Sequence, residues 1–392
     1  MEMMSTSQKR NPKGYVMEDP YLFRHILSFI EDEKNERSSY PVLVLALTFR
    51  TMRRLVSDKV YKLQSKSTQY IYSLSLLKWM VEETGDTSVF KSRLCVAAAA
   101  HGTLEVIDWL QQPTRGLWTI ECYNAAAATG RIDVLAALDA MDVPCRFDHT
   151  AAAAAAGGGH LEALQWLRSH DKPWKSDTLH AAAMNNHLHV LEWCLSQTDA
   201  PPLTRGTFSN AAFGGHLDTL QWLISRPDIP QDWKRDVCVS AARNGHLHVI
   251  KFARSLSPPC PWDERLCDVA ALGGHLHVLQ WVRSQESPCP WTAKVCTQAV
   301  FGGHFNVLKW LRSEESPHGK ADWTTDTACA ASATGSLEIL RWLREQNPPC
   351  PWDHCVYNVA RGCGHTAIME WLQTVSPACP ATLKASVTSM HV

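Results

Sequence analysis

The chain has 392 residues, 45 % apolar and 20 % charged, a balance typical of a folded chain and too apolar for a disordered one. Lys and Arg total 38 against 39 Asp and Glu, so the net charge is near −1; a general nucleic-acid binder would show a basic face, and no nucleic-acid partner is expected. No stretch reaches the ~20 apolar residues of a membrane span and the N-terminus has no apolar signal core, so the 14 Cys read as reduced thiols of a cytoplasmic or nuclear chain with no membrane partner.

Residues 1–18 are polar and expected to be disordered. In residues 19–66, a short amphipathic helix is predicted over 19–30, a charged loop over 31–40 and a longer Leu-rich helix over 42–58. Residues 67–392 follow a different rule, an internal repeat. It opens with a half-unit in which Leu74, Leu76, Leu77 and Met80 run in phase with Trp79.

Aligned on Gly-His-Leu, a marker position falls at Gly102, Gly130, Gly159, Asn186, Gly215, Gly245, Gly274, Gly303, Gly335 and Gly364. Seven residues later comes an aromatic in every unit but one, where Ala137 stands. Twelve residues before the marker lies a second column, Trp in seven of ten units. All 16 Trp fall in these two phases, which makes the period secure.

One unit, residues 262–290, shows the predicted elements. Asp263 follows Trp262, twelve before the marker, and suits an N-cap, as do Asp148, Thr204, Thr292 and Asp353 in their units. A helix of about nine residues follows, with Ala-Ala on its packing face, and Gly ends it by taking the left-handed conformation. The second helix starts at His-Leu and places Leu276, Val278, Leu279, Trp281 and Val282 on one apolar stripe. Ser-Pro-Cys-Pro stops it. So short a helix is marginal alone and must bury its stripe against neighbours. The predicted fold is an all-α solenoid of about ten helix pairs plus the half-unit.

These residues resemble the ankyrin repeat, whose core reads Ala-Ala-x-x-Gly-His-Leu-Glu-Val-Val. Here Ala98-Ala99-Ala100-His101-Gly102-Thr103-Leu104-Glu105-Val106 and Ala211-Ala212-Phe213-Gly214-Gly215-His216-Leu217 match it. The Thr-Pro-Leu-His opening is absent, the unit is about 29 residues, and Pro-Cys-Pro-Trp stands in the connection. Short turns are therefore expected in place of a long hairpin. The segment 19–66 is similar to an F-box, with Ile26, Leu27, Phe29, Ile30, Leu45, Leu47, Phe49 and Met52 at matching positions. That resemblance implies docking of a Skp-type adaptor of a cullin-type ubiquitin ligase through Ile26, Leu27, Phe29, Ile30, Phe49 and Met52. The alternative is that these helices only cap the open end of a structural or host-interaction scaffold.

The chemistry-bearing residues follow the repeat and point away from chemistry. His recurs after the marker (His160, His187, His216, His246, His275, His304, His365), with His189, His248 or His277 two positions on. Residues two apart on a helix do not face each other, so metal binding is not expected and the His is read as a turn residue. Cys260 and Cys267, seven apart, lack zinc-module spacing; the Cys read as small buried hydrophobes. Gly157-Gly158-Gly159 is not followed by Gly-Lys-Ser/Thr and is no phosphate loop. With no catalytic constellation and no cofactor expected, the chain reads as a non-enzymatic protein–protein interaction scaffold.

The ankyrin resemblance implies that the first residue after Ala-Ala faces a concave groove. That column reads Ala100, Ala128, Gly157, Met184, Phe213, Arg243, Leu272, Phe301, Ala333 and Gly362. Met184, Phe213, Arg243, Leu272 and Phe301, with His180 and Asp268 one turn earlier on their helices, are the expected partner-binding residues. The competing reading is lateral packing of the same side chains between units.

Overall fold

The computed structural model describes residues 91–111, 118–141, 148–316 and 319–375. The N-terminal residues 1–18, the F-box-like segment with Ile26, Leu27, Phe29, Ile30, Phe49 and Met52, and the half-unit at Trp79, with the expectations attached to them, lie outside the described residues. Two compact units divide the chain, one of residues 1–122 and 136–143, the other of residues 123–135 and 144–392. None of the described helices is long and apolar enough to cross a membrane.

The described residues form twenty α-helices and no strand. The first unit holds α1 (Lys91–His101) and α2 (Leu104–Leu110), with Cys95, Ala98, Ala99, Val106 and Ile107 fully buried. Then come α3 (Ile120–Ala128) and α4 (Ile132–Asp139), which the boundary between units crosses.

The second unit continues in helix pairs. These are α5 (His149–Gly157) and α6 (Leu161–Ser169), α7 (Ser176–Met184) and α8 (Leu188–Ser196), and α9 (Arg205–Gly214) and α10 (Leu217–Ile224). Next are α11 (Val237–Arg243) and α12 (Leu247–Ser255), α13 (Glu264–Leu272) and α14 (Leu276–Arg283), and α15 (Lys294–Phe301) and α16 (Phe305–Leu311). The last are α17 (Thr325–Ala333) and α18 (Leu337–Glu345), then α19 (His354–Gly362) and α20 (Thr366–Thr374). From α5 to α19, each first helix packs on the first helix of the next pair, and each second helix packs on its own first helix. This is the repeat solenoid the periodicity predicts.

Small side chains make the stacking possible. Ala155 and Ala156, Ala182 and Ala183, Ala211 and Ala212, Ala241 and Ala242, and Ala270 and Ala271 are fully buried where first helices meet. Asp148, Asp263 and Asp353 cap the first turns through their side chains, as expected, and Thr324 does the same; Thr204 makes no cap bond, and in α15 the cap position falls on Ala293 rather than Thr292.

The marker column is left-handed in nine units, φ running from 63° at Asn186 to 77° at Gly215. The following residue's N–H reaches back five residues to the first helix, as His216 does to Ala211 O at 2.9 Å, so the turn closes in Schellman fashion.

The connections carry a device of their own. The Cys260 N–H bonds Ala253 O and the Cys289 N–H bonds Val282 O, folding the Pro-Cys-Pro segment back on the second helix. The linker carbonyl accepts from an Arg at the end of that helix: Arg254 to Cys260 O, Arg283 to Cys289 O, Arg344 to Cys350 O. The same guanidinium stacks on the next unit's first Trp, 4.0 Å from Trp262 for Arg254 and 3.9 Å from Trp291 for Arg283. That Trp meets the Trp seven residues after its unit's marker edge to face, as Trp262 meets Trp281. Most described Trp are therefore half-buried braces over the linkers; the core itself is Ala, Leu, Val and Cys.

The thiols pair differently from their sequence neighbours. Cys260 neighbours Cys238 of the preceding first helix, and Cys289 neighbours Cys267; that proximity, with burial, pushes the Cys238 and Cys289 thiols up, while the Cys289 thiol donates to Asp263 O at 3.2 Å. Burial alone pushes the Cys194 thiol up to about 12.

Candidate protein-binding face

The face is built by the last residue or last turn of consecutive first helices. Met184, Arg243, Leu272 and Phe301 end α7, α11, α13 and α15, and Phe213 is next to last in α9. Because each first helix packs on the next, these five residues form one row. Met184 is 38 % exposed, Leu272 42 % and Phe301 51 %, Arg243 is exposed and Phe213 half-buried. Only one other large apolar side chain is exposed among the described residues, Leu104 in α2. Three of the four exposed large hydrophobics thus share one position of the repeat. At the two ends the row falls to small residues, half-buried Gly157 before it and Ala333 and Gly362 after it.

The turn histidines hold this row in place. The His216 Nε2–H donates to Met184 O at 2.9 Å and His275 to Arg243 O at 3.0 Å; His187 and His365 do the same for Gly157 O and Ala333 O. At Phe213 the side-chain amide of Asn244 takes part, at 2.9 Å. The second histidines bond the left-handed glycines, His189 to Gly159 O, His248 to Gly215 O and His277 to Gly245 O, each at 3.0 Å or less. The His-Leu-His pattern is therefore a double row of inter-unit hydrogen bonds. Burial holds His187, His246 and His275 below the ordinary imidazole value, and the neighbouring histidines add to this.

The other two sequence-expected residues are engaged inside the array. His180 is hydrogen-bonded to Thr204 Oγ1 at 2.8 Å and lies 3.4 Å from Asp177. Asp268 is buried beneath Lys294, its ion-pair partner at 3.6 Å, and burial raises its carboxyl above the usual range. At the opposite ends of the same first helices the cations are paired, Arg205 with Asp232 and Asp236, Arg265 with Asp236 and Asp263.

Two columns escaped the sequence reading. Arg168, Arg254, Arg283, Arg312 and Arg344 stand nine residues after the marker, and Ser169, Ser196, Ser225, Ser284 and Ser313 ten after it. The Arg brace the linkers and the Ser hydroxyls bond the Trp carbonyl three residues back, as Ser284 does at 2.9 Å. Their strict phase was the available signal.

A family model agrees with this architecture over part of the chain. Residues 179–224 match the family model described as ankyrin repeats (many copies). That match spans α7 to α10 apart from the first residues of α7, two successive pairs of the row. A comparison with curated proteins yields no match. Among solved structures, the pentatricopeptide repeat protein PPR10 from maize is 16 % identical at a TM-score of 0.34, over 86 % of this chain and 53 % of that one. The structure of PPR10 in complex with an 18-nt psaJ RNA element is 11 % identical at a TM-score of 0.32, over 91 % of this chain and 62 % of that one. The chain thus spans little more than half the length of these structures, and the likeness is one of helical-repeat architecture alone.

The expectation of no nucleic-acid partner is corrected here. One of the solved structures the chain is compared with, PPR10, is in complex with an 18-nt RNA element, and the expectation is withdrawn.

Proposed function

We propose that the chain is a non-enzymatic scaffold that captures a protein partner on the row Met184, Phe213, Arg243, Leu272 and Phe301. The observation that carries this reading is the concentration of exposed large apolar side chains at one repeat position. Core demand does not explain it, since the neighbouring Ala-Ala pair already closes the helix contact. Met, aromatic and Arg side chains are the residue types that anchor protein interfaces. The backbone beneath them is fixed by His216, His275 and Asn244, which lowers the ordering cost of binding.

Selection of a phage library of random 16-residue peptides on the full chain tests the reading. Peptides enriched on the wild type should lose binding to Met184→Ala/Phe301→Ala, while that variant unfolds within a few degrees of the parent. Enrichment that the double variant leaves intact would place binding elsewhere.

A further inference from the structure

We infer that the partner segment carries a single carboxylate set between apolar side chains, and that Arg243 is the residue that selects it. This rests on the row being the binding face and adds the chemistry of what it takes.

Arg243 is the one charged residue in its repeat column; the nine others are apolar or glycine. It is exposed at the end of α11, with half-buried Phe213 on the preceding first helix and exposed Leu272 on the following one. Its carbonyl is held by His275 Nε2 at 3.0 Å, so the side chain projects from a fixed point. The cations elsewhere on these first helices are neutralised within the array. Arg205 and Arg265 meet Asp232, Asp236 and Asp263, and Lys294 meets Asp268. Arg243 pairs with no acid among the described residues.

A guanidinium flanked by apolar surface gains most from a planar carboxylate, which it binds through two parallel hydrogen bonds. The flanking Phe213 and Leu272 would shield that pair from water and strengthen it. An apolar side chain seated over Arg243 would instead strip the charge of solvent without return. A basic one would meet like charge at close range. Met184 and Phe213 on one side and Leu272 and Phe301 on the other offer apolar contact at both flanks. The arrangement therefore specifies apolar, acidic, apolar along the partner.

The same peptide library separates this inference from the reading beneath it. It is panned on the full chain as wild type, Arg243→Glu, Arg243→Gln and Phe301→Ala. Peptides enriched on the wild type should carry one Asp or Glu with apolar residues on both sides. They should bind Arg243→Glu about tenfold or more weakly, and Arg243→Glu should itself enrich peptides with Lys or Arg in that place. Because Arg243 supports no ion pair, both charge variants should melt with the parent; Arg243→Gln guards against a fold defect from the added acid. Peptides that lose binding to Phe301→Ala but keep it on both Arg243 variants would overturn the carboxylate and leave the binding face standing. Peptides indifferent to every variant, or no enrichment at all, would overturn both.

Discussion

Gly245 and Gly303 occupy the same repeat position with the same φ of 76°, yet a side chain would meet different surroundings at each. A Cβ on Gly245 would stand 2.6 Å from the Nδ1 of His275, whereas one on Gly303 would meet nothing within 4 Å. The difference traces to the next unit, where the residue after the marker is Ser336 rather than His. Gly303→Ala should lose only the left-handed strain, about 1–2 kcal/mol. Gly245→Ala should lose a further ~1–3 kcal/mol as the imidazole is driven off its carbonyl. Denaturant midpoints of the two variants check this; equal losses would mean the ring yields freely. The marker glycines were legible because a left-handed turn in strict phase admits few residues. The partner of each His was not, because the carbonyls of Met184 and Arg243 lie about 32 residues away in sequence and are neighbours only once the units stack.

Between elements, the inter-helix turns place histidines beside one another along the stack. His187 feels His189, His160 and His216; His246 feels His248, His216 and His275; His275 feels His277 and His304. Burial is the larger cause in each and lowers the folded-state value below 6.5. The unfolded chain then binds more protons than the folded one as pH falls through that value, so stability declines from neutral pH toward pH ~5. Urea unfolding followed from pH ~7.5 to ~5 checks the direction, and a midpoint that holds or rises would show that the rows tolerate charge. Helix lengths, helix ends and the Asp caps were readable from period and turn chemistry alone, whereas the cap expected at Thr204 is not made. The linkers were not: Pro-Cys-Pro reads as a helix stop, but that the linker folds back so that Arg283 meets both Cys289 O and Trp291 is a matter of local backbone path that no period encodes. The Cys238–Cys260 proximity is hidden for another reason, since one thiol lies on a helix and the other on a linker two connections later.

For the molecule as a whole, the period made the solenoid legible, and with it the identity of the row from Met184 to Phe301. What period cannot convey is which side chains the stacking covers. His180 and Asp268 share the row's helices but are tied to Thr204 and Lys294, while Met184, Leu272 and Phe301 are left exposed. The central claim is that this row serves recognition rather than folding, and a matched pair of phenylalanines tests it most directly. Phe208 is fully buried 5.2 Å from the Trp233 ring, and Phe301 is 51 % exposed. The measurement is equilibrium unfolding of Phe208→Ala and Phe301→Ala in the full chain. Phe208→Ala should lose about 3–5 kcal/mol and Phe301→Ala no more than about 1 kcal/mol. A loss at Phe301 equal to that at Phe208 would make the row part of the packing between units and contradict the account.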